Sequence, residues 1–251
     1  MSSIRTQTRG ELSRLNVIRL FAFGMLLIFP AAAGAQQNSP IAEQIAKTYG
    51  LDSFGKIEAI RYTFNVESPN LKISNSWEWS PKTDTVFYGG KDKEGKPVTA
   101  SYQRANLTSQ SDAIKNEIDP AFVNGQYWLL LPFHVLWDGA PVISEGNNKL
   151  LLGDGSAERV VVKYPSEGGY QPGDTWDLYI GADKRIQEIV YHRGGPNPPK
   201  LVMATYVDYK MAGPLLFSTD HRGTLDGKPL HVWISDVSVK LTGSEKWINA
   251  Q

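Results

Sequence analysis

A chain of 251 residues in which 26 basic residues balance 26 acidic ones, with no cysteine, narrows the field before any motif is read. The even charge is unsuited to nucleic acid, which calls for a clustered basic face against phosphates. The absence of cysteine excludes disulfides, thiolate metal sites, cysteine nucleophiles and an acylated N-terminal cysteine, and a chain this long can bury a core without covalent staples.

The first 35 residues read as an export signal. Arg5, Arg9, Arg14 and Arg19 precede the apolar run Leu20 to Phe29, and Ala31-Ala-Ala-Gly-Ala35 supplies a small-residue exit, so cleavage is predicted after Ala35. The apolar run ends at Pro30, well short of the about 20 residues that span a bilayer, so no stable membrane span is expected after its removal. The segment takes with it four of the basic residues and one acidic residue, which leaves 22 against 25 and a net charge near −3. Residues 36–251 are predicted to form one domain, in the periplasm or released outside the cell.

Ser39-Pro40-Ile41 opens a short helix, with Ser39 as N-cap, Pro40 in the first turn and Gly50 placed to end it. Ile41, Ile45 and Tyr49 form its apolar stripe. Beyond Gly55 the period becomes two: Ile60, Tyr62, Phe64 and Val66 alternate with polar residues, the mark of a half-buried strand. Strand-like runs follow at Lys72 to Trp79, Thr85 to Tyr88, Val98 to Tyr102, Lys149 to Leu152, Glu158 to Tyr164, Thr175 to Ile180, Ile186 to His192, Leu201 to Tyr209, Leu215 to Thr219 and Leu230 to Leu241. Short turns rich in Gly, Pro, Asn and Asp join them, which predicts an antiparallel meander. The fold class is therefore mainly β with some helix: a curved antiparallel sheet or half-barrel of about ten strands, closed by the N-terminal helix and a central apolar helical segment.

That central segment, Asp119 to Asp138, interrupts the meander. Asp119-Pro120 looks like an N-cap and first-turn pair, Leu129 to Trp137 is apolar nearly all round, and Pro132 forces a break or kink. Its surface must be covered, either because it plugs the concave face or because it roofs an apolar cavity with Gly125 and Pro132 as hinges. The absence of Lys and Arg within it disfavours an anionic membrane surface.

No catalytic or phosphate-cradling motif is present, and no metal or cofactor is expected. His134, His192, His221 and His231 could in principle converge with Asp208, Asp220 or Asp236 into a hydrolase site, although their spacings show no pattern. The aromatic residues say more. Trp77 and Trp79 share a strand face, as do Trp176 with Leu178 and Ile180, and His231 with Trp233. They fill a core, line a cavity, or, for Trp77 and Trp79, form an exposed platform for a polysaccharide.

The cleaved signal, the early amphipathic helix, the meander and the apolar interruption together resemble the LolA/LolB family of lipoprotein-localisation factors. The hairpin Thr175 to Tyr191 is similar to the repeated hairpins of such half-barrels, and Phe122 to Asp138 and Tyr164 to Asp174 are similar to runs in secreted bacterial proteins of that fold. The resemblance implies an incomplete barrel around an apolar cavity for acyl chains. This chain is longer than a typical LolA and, lacking cysteine, is not a lipid-anchored LolB. The expected role is thus binding or carriage of an apolar small molecule, a lipid or a lipoprotein acyl chain, with Trp77, Trp79, Tyr127, Trp128, Leu131, Phe133 and Trp137 as lining.

Overall fold

The computed structural model describes residues 39–92, 94–167, 171–195 and 199–251. The predicted export segment and half of the Gly194 to Pro199 loop lie outside these residues. No helix among the described residues is long and apolar enough to cross a membrane.

Helix α1 (Pro40–Thr48) begins at Pro40, where a missing N–H costs nothing, but Ser39 makes no side-chain cap. Gly50, at φ +103°, turns the chain into the single-turn helix α2 (Leu51–Phe54). Among the described residues thirteen strands follow: β1 (Ile57–Ser68), β2 (Leu71–Ser80), β3 (Thr85–Lys91), β4 (Pro97–Gln103), β5 (Val142–Lys149), β6 (Ser156–Lys163), β7 (Thr175–Ile180), β8 (Ile186–Arg193), β9 (Lys200–Thr205), β10 (Val207–Ala212), β11 (Leu215–Leu225), β12 (Lys228–Leu241) and β13 (Trp247–Asn249). They pair antiparallel in one open, curved sheet of order β4-β3-β2-β1-β12-β11-β9-β8-β7-β6-β5, with β10 added beside β11 and β13 beside β12. The long helix α3 (Asp119–Trp137) interrupts the strand succession between β4 and β5. Its residues from Phe122 to Val135 are almost all buried, and α1 packs on it. The expected curved sheet closed by helices is therefore observed.

Several local expectations fail for identifiable reasons. Asp119 is not an N-cap: a π-helical turn (Ile114–Ile118) leads straight into α3, and the buried Asp119 carboxylate accepts from Tyr102 Oη at 3.0 Å and Arg104 Nε at 2.8 Å. Lys149 to Leu152 is a strand only at its first residue. The polar run Val142–Lys149 makes β5 instead, and the chain beyond it loops so that Leu151, Leu152 and Gly153 all donate backbone N–H groups to the buried Glu188 carboxylate, at 2.6 to 3.1 Å. The run Leu201 to Tyr209 breaks at Tyr206, whose buried ring turns inward between Trp128 and His221. On β12, Leu230, Val232 and Ile234 face the core, so His231 and Trp233 project to the opposite face, where their rings stack 4.6 Å apart.

Helix α3 is bent at Leu130, whose φ of −114° and ψ of 15° leave the helical region. Pro132 explains this, since it has no N–H to give the Trp128 carbonyl four residues earlier. Tyr206 Oη donates to that carbonyl instead, at 3.2 Å in a buried setting. Gly125 is not the bend. It lies in regular helix against β1, where an added Cβ would come 3.3 Å from Phe64 Cγ, so its lack of a side chain lets α3 approach the sheet.

Candidate apolar ligand site

The two halves of α3 do different things. Its C-terminal half plugs the concave face: Leu130, Leu131 and Phe133 are at most 1% exposed, and the Phe133 ring lies 5.1 Å from both Phe54 and Trp137. Its N-terminal half roofs a partly open cavity of about 310 Å³. Pro120, Val123, Asn124, Tyr127 and Trp128 form the roof, over a floor from seven strands, β1, β2, β7, β8, β9, β11 and β12.

Register explains the floor. Directly opposed residues of neighbouring strands share a face, and Ile73, Val66 and Val232 are such partners across β2, β1 and β12. Trp176, Tyr191, Val202 and Leu225 form a second row across β7, β8, β9 and β11. All seven line the cavity.

The aromatic wall is oriented by its polar tips. Tyr127 and Trp176 lie nearly parallel with centroids 6.2 Å apart, and Tyr191 lies 4.7 Å beyond Trp176. Tyr127 Oη donates to Asp138 Oδ2 at 2.5 Å, Trp176 Nε1 to Gln171 Oε1 at 2.5 Å, and Tyr191 Oη to Asp174 Oδ2 at 2.7 Å. With every tip tied, ring surface is what remains for a guest. Burial, reinforced by the neighbouring carboxylates, pushes the Tyr127 and Tyr191 hydroxyls above their ordinary range, so both stay protonated donors.

Asp138 also accepts from Tyr164 Oη at 2.7 Å and lies 3.0 Å from His134 Nδ1. Burial raises its carboxyl, but the hydrogen bonds from His134, Tyr127 and Tyr164 outweigh that and hold it below the usual carboxylate range. The cluster fixes Tyr127, whose ring also stacks on His134 at 4.0 Å.

Of the seven residues expected to line a cavity, Tyr127 and Trp128 do so. The remaining five lie elsewhere. Trp77 and Trp79 are 2% and 8% exposed and sit 5.5 and 6.2 Å from the Phe122 ring, so they fill the core and present no stacking platform. Leu131 and Phe133 belong to the plug, and Trp137 stands partly exposed at the end of α3. Sequence reasoning missed most of the floor: Val66, Phe64 and Trp176 carried the right alternation, but Val202, Leu225, Leu230 and Val232 are ordinary strand residues until register brings them together.

The histidines do not converge. His134 pairs with Asp138, His192 with Asp177 at 3.4 Å, His231 with Asp220 at 2.5 Å, and the buried His221 with the Thr205 carbonyl at 3.1 Å. Among the described residues no three His, Asp or Glu side chains form a set that could hold a metal ion.

No protein-family model matches the sequence, and no curated protein matches it. Similar solved structures include a DUF1329 family protein from Desulfovibrio piger, with 8% identity, a TM-score of 0.44, and coverage of 82% of this chain and 94% of that one. A LolA superfamily protein from Nitrosomonas europaea has 8% identity and a TM-score of 0.43, over 79% and 93% of the two chains. The Mycobacterium tuberculosis lipoprotein LppX has 7% identity and a TM-score of 0.29, over 78% and 94%. At these identities and scores the likeness transfers no residue.

Proposed function

We propose that the chain is exported, cut after Ala35 and left in the periplasm as a single domain of residues 36–251. There it binds or carries an acyl chain, a lipid or another apolar ligand between the concave sheet and the N-terminal half of α3. One observation supports this above all: a partly open hollow of about 310 Å³ lies beneath the N-terminal half of α3, walled by Phe64, Val66, Tyr127, Trp176, Val202 and Val232. Ligand pockets fall at roughly 300–1,000 Å³, so the space suits one hydrocarbon tail better than several. At about 0.8 kcal/mol per buried methylene, a tail of about ten methylenes gains about 8 kcal/mol from burial, from which the cost of association is subtracted before any of it appears as affinity.

The test is to purify the protein without detergent, extract it for mass spectrometry, and titrate it with a fluorescent fatty-acid probe. Co-extracted lipid, or saturable probe binding that Val232→Trp weakens at least about tenfold by filling the floor, is expected. No extracted lipid together with no saturable binding overturns the reading.

A further inference from the structure

The rim of the cavity is chemically lopsided. Among the described residues its lining includes two cations, Arg193 and Lys200, the neutral amides Asn124 and Gln171, and no carboxylate. Arg193 and Lys200 are direct cross-strand partners, one at the end of β8 and the other at the start of β9. Like charges opposed in this way destabilise a sheet, a cost that an anion lying between them would reverse.

Two carboxylates nearby in sequence already accept hydrogen bonds from neutral donors. Asp174 is buried and accepts from Tyr191 Oη at 2.7 Å and Gly194 N at 2.8 Å, and Asp226 accepts from Leu201 N at 2.8 Å. No described residue makes an ion pair with Lys200. Gln171 adds a donor: Trp176 Nε1 can only donate, so Gln171 Oε1 must be the atom that accepts, which leaves the amide NH₂ for another partner.

Resting on the proposed function, we infer that the cavity takes an amphiphile with one hydrocarbon tail and an anionic head, the tail against Trp176, Tyr191, Val66 and Val232 and the head at Arg193 and Lys200. The Lys200 ammonium meets a carboxylate or phosphate as a compact point charge with three donors, and the guanidinium opposite adds a second positive charge to the same rim. Both cations are half-buried at the edge of an apolar hollow, where screening by water and salt is weaker than on open surface. The tail supplies affinity and the head supplies orientation and selectivity.

Calorimetry of the purified protein with decanoate, decyl phosphate, decanol, decyltrimethylammonium and inorganic phosphate separates these parts. Decanoate and decyl phosphate are expected to bind at least about tenfold tighter than decanol, decyltrimethylammonium weakest of the four, and inorganic phosphate without measurable heat. High salt should narrow the gap between decanoate and decanol. Lys200→Glu should erase most of the anion preference while leaving decanol within about twofold, and Lys200→Gln should fall between. Equal binding of all four amphiphiles, or no change for decanoate in either variant, overturns the head-group assignment and leaves the apolar cavity standing. Failure of every decyl compound to bind, or inorganic phosphate binding as tightly as decyl phosphate, sinks both.

Discussion

His221 sits at a point where acid should loosen the molecule. It is fully buried in β11, with its ring 4.2 Å from Tyr206 and 5.3 Å from Trp128, a roof residue of the cavity. The Thr205 carbonyl can only accept, so Nδ1 carries the proton, and Nε2 is buried without a partner. Burial pushes the ring's pKa from 6.5 down to about 4, against smaller upward pulls from the Thr205 and Ser218 backbone and Asp220, and with a small downward push from His231. In the unfolded chain the same ring takes its proton near 6.5. Between these values the unfolded state binds more protons, so stability is complete above pH 6.5, falls as pH drops toward 4, and levels off below. At about 1.4 kcal/mol per pH unit, the interval from 6.5 to about 4 amounts to about 3 kcal/mol. Urea unfolding of wild type and His221→Phe at a series of pH values isolates this, because every other titrating group is common to both. His221→Phe loses the Thr205 bond at all pH values, but its stability should decline about 3 kcal/mol less than wild type on going from pH 7 to 4. Parallel profiles for the two proteins, or a ring that titrates near 6.5 by NMR in the folded state, would refute the reasoning.

Other expectations follow from single contacts. Tyr206→Phe should cost about 1–2 kcal/mol by stranding the Trp128 carbonyl, and less in a Pro132→Ala background, where residue 132 regains its N–H; additive losses in a double-mutant cycle would contradict the link between bend and hydroxyl. Asp119→Ala leaves Arg104 and Tyr102 without their buried acceptor and should cost about 3 kcal/mol in thermal or denaturant unfolding. Glu188→Ala frees three backbone N–H groups and should cost about 2 kcal/mol, speed hydrogen exchange at Leu151 to Gly153, and leave probe binding unchanged.

Much of the architecture was legible because strand alternation and helix stripes are local. Ile60, Tyr62, Phe64 and Val66 announce β1 through their period of two, and nearly every run bounded by turn residues is a strand. The bend in α3 was legible too, as an amide without a hydrogen is a covalent fact. What resisted reading had a distant partner: Glu188 holding Leu151 to Gly153, Tyr206 breaking a strand to reach Trp128, and Asp119 drawn inward by Tyr102 and Arg104 when an N-cap seemed natural. Trp77 and Trp79 were the most conspicuous aromatic residues and belong to the packed end, whereas the unremarkable Val202 and Val232 line the open one.

The chain's own order of residues determined that there would be a meander, an amphipathic first helix and an apolar segment needing cover. Whether that segment filled the concave face or spanned it was decided only in three dimensions, and it does one with each half. A void is a property of what several separate strands fail to fill together. Register, sheet curvature and the approach of α3 set its position, and none of these is written in the spacing of residues along any single strand.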